Sequence, residues 1–596
     1  MPGDLPDSYT RMTRLLLLST LLALASCSCG WAQQHPADAI SHQQLGHRYL
    51  ESYQLDRAIE ELNAALRLDP NVAETHDDLG LAWVGKGNLE AAREEFEAAL
   101  RLAPRYAEAR SNLGLVLLKQ GHADDAVSEL RAAVELNPSS SQTQFRLGLA
   151  LAANNQQEPA VAAFRKVVDL SPEFAEAWNN LGVALARSGK LDDAVAAFQR
   201  ALRLRPDYAE ARYNLGRGLV GKGEATEGME ELRKAVKLRP DYAEAHTELG
   251  LALLSENETS AGIEELRAAV RWAPNASEAH FHLGLALLNN DNRQNALAEF
   301  QKTIKLSADM PEAYNGLGAA LAEGGRLEEA VPQFQKALRL NPTYVDAHYN
   351  LGIIYLMMSE FDRAIPELEA AVHARPGEAK YHYRLGSALV KAGELDRGIA
   401  EVEKSVELEP ASPETHYALA RLLMKKGDPK AAAQQFQIQA RLEEAVRTQR
   451  LSHSQTVLHI GQGLEAMNSG KLEVAIREFQ QAVMYQPDSV EAHNHLGVAL
   501  AKAGNPEAAL KEFEKATALE PNNPTAYNNI GSLLAGKGGL EAAIGNFEEA
   551  IRLKGDFAEA HYNLGLMLLR QGLRERAKSE FKKAHQLDPR LRAPQS

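Results

Sequence analysis

Histidine is the residue whose placement in this chain first suggests chemistry. It recurs in register at His42, His76, His246, His280, His348, His382, His416, His459, His493 and His561. A file of imidazoles could hold metal or exchange protons near neutral pH. The spacing speaks against metal. An ion needs several ligand nitrogens within about 2 Å, and packed helices stand about 8–10 Å apart. Trp178 occupies the same place in its own segment, so packing between two helices is the expected role.

Two glycine patterns resemble nucleotide sites. Gly216-Arg-Gly218-Leu-Val-Gly221 fits GxGxxG, a fingerprint that needs a strand before it and a helix after it. Here it falls inside a helical segment. A near P-loop, GxxxxGKG, occurs at 80–87, 216–223 and 531–538. Each copy lacks the terminal Ser or Thr that would meet magnesium, and its recurrence points to regular glycine spacing as the cause.

The only cysteines are Cys27 and Cys29, and no HExxH or GxSxG is present. A formal charge of −15 disfavours a nucleic-acid partner, because phosphate binding needs clustered Lys and Arg. The expectation is no catalytic residue, no cofactor and no resident metal, hence no enzyme.

The element that positions these residues is a 34-residue unit, typified by residues 175–208. Trp178, Leu181, Val183 and Leu185 lie at helical spacing, and Gly189 ends that first helix. Asp192 and Asp193 favour the start of a second helix, which runs through Ala194, Phe198, Ala201 and Leu204 to a stop at Pro206. Glycines at 46, 80, 114 and onward to 386 repeat every 34 residues, Ala420 continues them, and Gly463, Gly497, Gly531 and Gly565 resume after a slip. That makes sixteen units. Where the turn glycine is missing, Asn155, Asn257 and Asp291 stand in, the non-glycine types that best tolerate a left-handed backbone.

A helical hairpin with small residues at unit positions 8, 20 and 27 and Pro at 32 (Gly182, Ala194, Ala201 and Pro206) resembles the tetratricopeptide repeat. The resemblance covers nearly everything after the first 38 residues. It implies an all-α fold, an α-solenoid coiled as a right-handed superhelix with the first (A) helix of each unit lining a concave groove. It also implies binding of proteins or peptides.

Within that resemblance, Asn112, Asn180, Asn214, Asn350, Asn529 and Asn563 stand at a groove-facing position, where a carboxamide can both donate to and accept from a peptide backbone. The pattern is similar to the asparagine ladder of the O-GlcNAc transferase superhelix, but Arg146, Glu248, His282, Gly316 and Arg384 interrupt it and no transferase domain follows. Asn350, Lys380 and Arg384 resemble three of the five residues in the carboxylate clamp of heat-shock co-chaperones. Asn315 and Ala319 stand where that family has Lys and Asn. A local basic spot for an acidic side chain or C-terminus is one reading. Elsewhere the first turn of helix A is acidic, as at Glu74, Glu108, Glu176 and Glu210, either to offset the helix dipole or to favour basic ligands.

The expected organisation is a signal peptide over 1–32, an array of about twelve repeats over 39–439, an extended helix or joint over 440–455, about four repeats over 456–590, and a tail over 591–596. Arg11 and Arg14 precede the apolar run Leu15–Ala25, too short for an ordinary span. Leu24-Ala25-Ser26-Cys27 resembles a bacterial lipobox, with Cys27 as lipidation candidate. Gly30-Trp31-Ala32 alternatively fits a cleavage site. The joint is read either as a tolerated insertion or as a spacer or dimerisation surface.

The functional expectation is an exported bacterial protein, periplasmic or an outer-membrane-associated lipoprotein. It would act as a protein–protein interaction scaffold or adaptor of the cell envelope, binding peptide segments in the groove. Partners would be proteins or peptides, with membrane contact only through an N-terminal lipid. The rival is the repeat subunit of an export or glycosyltransferase complex, acting as conduit or targeting module.

Overall fold

A computed structural model describes residues 34–594. The signal-peptide reading and Cys27 fall outside the described residues. Thirty-one α-helices follow one another from Gln34–Glu51 to Arg574–Leu587, with no strand among the described residues. The chain is an all-α solenoid of helical hairpins. Contacts group it into two compact units, Met1–Ile354 and Tyr355–Ser596.

Repeat 5 shows why the hairpin closes. Its A helix is Ala175–Arg187 and its B helix Leu191–Leu204. Gly189 takes φ +75°, and the amide of Lys190 reaches back to the Leu185 carbonyl at 2.9 Å. That wraps the helix end and satisfies carbonyls left without a partner. Arg205 is extended (φ −137°, ψ 91°), a conformation the following Pro206 favours. The chain then turns into the next A helix.

Between the two helices, Ala194 and Ala201 are fully buried. A Cβ built on Gly182 would lie 2.5 Å from the Phe198 ring. Phe198, like Phe96, Phe300 and Phe479, is almost wholly buried. In the first unit the apolar side chains of consecutive repeats merge into one core that runs from Ala92 to Leu219 without a centre, as expected when each repeat packs on its neighbours.

Asn155, Asn257 and Asp291 have φ of +55°, +63° and +60°, the left-handed turns their residue types suggested. Tyr53 and Ser359 adopt the same conformation, with φ of +57° and +64°. Residue type gives no hint of either; the hairpin imposes the turn on whatever residue stands there.

Gly216, Gly218 and Gly221 lie in helix Ala209–Gly221. Gly216 faces Leu232 and the Gly228 carbonyl, and Gly218 faces Val195. Their small size therefore serves packing.

Two outcomes test this account. Ser359→Gly should raise stability by roughly 1 kcal/mol by removing left-handed strain at an exposed turn, seen as a higher urea midpoint. Gly182→Ala should cost about 1–3 kcal/mol through overpacking, with hydrogen exchange accelerated in residues 175–204. An unchanged exchange pattern would refute the interlock.

Candidate functional site

The histidines lie at the junction of three segments rather than in a simple packing layer. In repeat 7, Nδ1 of His246 donates to the Glu265 carboxylate on the B helix at 2.6 Å, and Nε2 donates to the Pro240 carbonyl at 2.9 Å. The same pair of bonds recurs at His76, His280, His382 and His493. His416 meets Gln435 in place of Glu. Arg110 and Arg212 reproduce the geometry, each 2.6 Å from a glutamate nineteen residues on and also bonded to the preceding loop proline carbonyl. Trp178 has one donor and makes the carbonyl bond alone, at 2.8 Å. The residue nineteen positions after it is Ala197.

Unit position 4 is thus a clip that ties helix A, helix B and the loop from the previous repeat. The signal was present in the sequence: a donor with two arms is matched by Glu at position 23, and Trp178 or Gln144 is matched by Ala197 or Ala163. Both acceptors lack protons, so only the doubly protonated imidazole satisfies both. Burial alone would lower the His246 value, but the bonds to Glu265 and to the Pro240 carbonyl outweigh it and raise it above 6.5.

The asparagines form a second ladder, between successive A helices. Nδ2 of Asn214 donates to Asn179 Oδ1, that of Asn350 to Asn315 Oδ1, and that of Asn563 to Asn528 Oδ1, each at 3.0 Å. Asn112 donates to Asp77 at 3.0 Å and accepts from Arg146 at 2.9 Å. Asn180 turns back to its own helix, to the Glu176 carbonyl at 2.8 Å. Asn529 is half-buried at the same unit position. Where the bond forms, the carboxamide donor is engaged by the preceding repeat, and the oxygen is the atom still able to accept from a ligand. Burial pushes the Asp77 carboxyl up to about 7, against the opposing pull of Asn112 and Arg146.

Lys380 and Arg384 are exposed on helix Ala379–Lys391 in the second unit, and Asn350 belongs to the first. Lys380, Arg384 and Lys391 are spaced along one stripe of a helix that has no acidic residue. On helix Pro413–Lys426, Tyr417, Arg421 and Lys425 form a stripe of their own, all exposed; Lys425 and Tyr417 stand at the unit positions of Lys391 and Tyr383, while those of Lys380 and Arg384 hold Glu414 and Ala418. Arg384 lies 5.6 Å from the centre of the Tyr383 ring and Arg421 5.8 Å from that of Tyr417. Lys391, Arg421 and Lys425 were not singled out from sequence. Their signal was the absence of the usual first-turn acid at Lys380.

Among the described residues no three His, Cys, Asp or Glu side chains are grouped so as to hold a metal ion, and no helix is long and apolar enough to cross a membrane. Two open depressions, of about 330 Å³ beside Arg131 and about 370 Å³ beside Arg271, contain none of the ladder asparagines; the second is lined by Glu299, the partner of His280.

A family model described as "Tetratricopeptide repeat" matches overlapping segments from 44 to 311, from 349 to 445 and over 460–524. One described as "TPR repeat" matches 318–359 and 533–572, and a further tetratricopeptide model matches 558–591. No curated protein sequence matches. Among solved structures, MamA from Desulfovibrio magneticus RS-1 is 30% identical over 28% of this chain and 96% of its own, with a TM-score of 0.28. Pseudomonas aeruginosa pilF is 21% identical over 36% of this chain and 97% of its own (TM-score 0.33). The P58(IPK) TPR domain is 18% identical over 60% and 99% (TM-score 0.27). At such TM-scores the superpositions say nothing about role.

The clip predicts a pH dependence with a definite sign. A folded-state value above the ordinary 6.5 at His246 stabilises fully below 6.5, and the contribution is lost as pH rises through the folded value. Protection of the amides in residues 240–266, corrected for the base-catalysed intrinsic exchange rate, should therefore be greater at pH 6 than at pH 8. Glu265→Gln should flatten that difference. Glu265→Ala should cost about 1 kcal/mol at pH 6 and less at pH 8.

Proposed function

From a chain that belongs to the tetratricopeptide repeat family, we infer a scaffold that recognises segments of partner proteins on its A-helix face. Tetratricopeptide repeats generally mediate protein–protein interaction, and a solenoid offers an extended surface for it. The finer reading is a preference within that face: an acidic segment of a partner docks across repeats 11 and 12.

The observation that carries it is a local reversal of charge. The chain has a net charge of −15, and A helices such as 73–86, 107–119 and 175–187 each begin with a glutamate in their first turn. Helices Ala379–Lys391 and Pro413–Lys426 instead carry Lys380, Arg384, Lys391, Arg421, Lys425 and Lys426 against Glu414 alone. Tyr383 and Tyr417 add flat apolar area between the cations. Such a stripe attracts carboxylates at long range and sets register at contact.

We place this scaffold in the cell envelope. The basic pair Arg11 and Arg14, the apolar run to Ala25 and the two candidate processing sites support export. Lipid on Cys27 and cleavage after Ala32 predict different products. N-terminal sequencing that begins at Gln33 would select the second; a blocked N-terminus lost in Cys27→Ser would select the first.

Binding of fluorescent peptides tests the docking reading. Glu/Asp-rich peptides should bind more tightly than their Lys-substituted counterparts, with affinity falling as salt rises. The pair Arg384→Glu and Arg421→Glu should weaken binding at least tenfold while leaving the circular dichroism melt intact. Equal affinity for acidic and basic peptides, or no loss in the double variant, would overturn it.

A further inference from the structure

Repeats 12 and 13 do not stack on each other as the other repeats do. The B helix of repeat 12 and the A helix of repeat 13 are one continuous helix, Pro429–Asn468, 40 residues long. The loop that would fold one back on the other is absent, and every residue from Glu443 to Leu451 is exposed.

Both faces of the missing junction are bare. Met424, at unit position 12 of repeat 12, is 52% exposed, whereas Leu50 and Leu288 at that position are 3% and 9% exposed. A comparable case among the described residues is Leu569 at 41%, on helix Ala558–Arg570 in the last described repeat. Phe436 is only half-buried, although its equivalents Phe96, Phe198 and Phe479 are closed off. On the other side Leu458, at position 3 of repeat 13, is 50% exposed, while Ala177, Ala245 and Ala492 are fully covered by the preceding B helix. Repeat 12 ends like the end of a stack, and repeat 13 begins like the start of one.

By repeat registry these faces are the two halves of a single junction. The helix between them holds them apart: the thirteen residues from 443 to 455 extend about 20 Å. Neither half can reach the other without breaking that helix. Two copies related by a two-fold axis can make the contact twice, with the repeat-13 A helix of each seated on repeat 12 of the other. This is the geometry of exchanged elements between identical chains.

The connecting helix is self-complementary in that arrangement. A two-fold between Val446 and Arg447 sets Glu443 opposite Arg450 and Leu442 opposite Leu451, twice over. Glu444 is paired with Arg447 in its own helix at 2.9 Å, and among the described residues neither Glu443 nor Arg450 has an ion pair. Gln462, Glu465 and Gln439 replace the Leu, Ala and Ala of other junctions. They make these two faces more polar than the equivalent faces of other junctions. We propose that a second copy of this chain occupies the bare faces of repeats 12 and 13, through a reciprocal exchange about the helix Pro429–Asn468.

The test uses the full chain with Cys27 and Cys29 changed to Ser. At other junctions unit position 27 packs on position 3 of the next repeat, as Ala235 on Ala245 and Ala482 on Ala492, so Gln439 and Leu458 are the corresponding pair here. Gln439→Cys and Leu458→Cys chains, differently tagged and co-expressed, should form a disulfide-linked heterodimer on mild oxidation. Light scattering should report a dimer for the unmodified chain. Glu443→Arg and Arg450→Glu should each shift it toward monomer, and the double reversal should restore the dimer. A monomer in light scattering overturns the proposal. So does an intrachain disulfide in the Gln439→Cys/Leu458→Cys chain, which would mean that the helix bends and the junction closes on itself. A dimer whose cysteines at 439 and 458 do not link overturns it too, by placing the contact elsewhere.

Discussion

Where unit position 8 is glycine, the A and B helices approach so closely that one added carbon would intrude on the side chain at position 24, as at Gly182 and Gly80; repeat 12 carries Ala420 there. The distance is 2.5 Å to the ring at Gly182 and 2.6 Å at Gly80. Glycine inside a helix costs about 1 kcal/mol relative to alanine, so its recurrence marks a contact of greater value than that loss. The alternatives obey the same constraint. Where position 24 is the smaller Leu232 or Val402, position 20 is also glycine. There the backbones themselves close up, with a Cβ at Gly216 or Gly386 only 2.8 Å from the carbonyl of Gly228 or Gly398. In those repeats closer backbones take up the volume of the missing ring, whereas Leu62 and Leu130 pack on Gly46 and Gly114 with alanine at position 20.

That interlock fixes the hairpin but not the angle between one repeat and the next. Two polar ladders act there. The clip at position 4 binds the incoming loop carbonyl and the outgoing B helix to one side chain. At Asn112, Asn214, Asn350 and Asn563 the asparagine ladder binds an A helix to the one before it. Both use directional bonds in half-buried places, where a misplaced partner leaves a desolvated polar group. Apolar faces alone would tolerate sliding; these bonds set register. A side chain that holds the register of the solenoid also lies beside the surface a partner would touch, so fold and recognition draw on the same atoms.

The face so built is uneven. Asp77 is buried beside Asn112 and Arg146, the early A helices begin with acids, and repeats 11 and 12 carry cations with tyrosines. The unevenness is greatest where the regular stack is interrupted, next to the 40-residue helix. A uniform array would present the same chemistry at every step; these departures give the surface places at which one ligand differs from another.

The hairpin, its period, its left-handed turns at Asn155, Asn257 and Asp291 and its place in the repeat family were legible in the sequence, because each rests on contacts within about 34 residues that recur in every unit. The partners of the clip were legible too, as the matched residues at positions 4 and 23. Other features were not. Ser359 and Tyr53 are left-handed because the hairpin closes around them, against their own preference. The engagement of the Asn214 and Asn350 donors depends on the neighbouring repeat's position 5. The bare Met424 and Leu458 depend on a helix that fails to turn. Local pattern states what a repeat is, since its determinants lie inside it. What a given side chain has left to offer is decided only once its neighbours are in place, since burial and hydrogen-bond capacity are properties of the packed array.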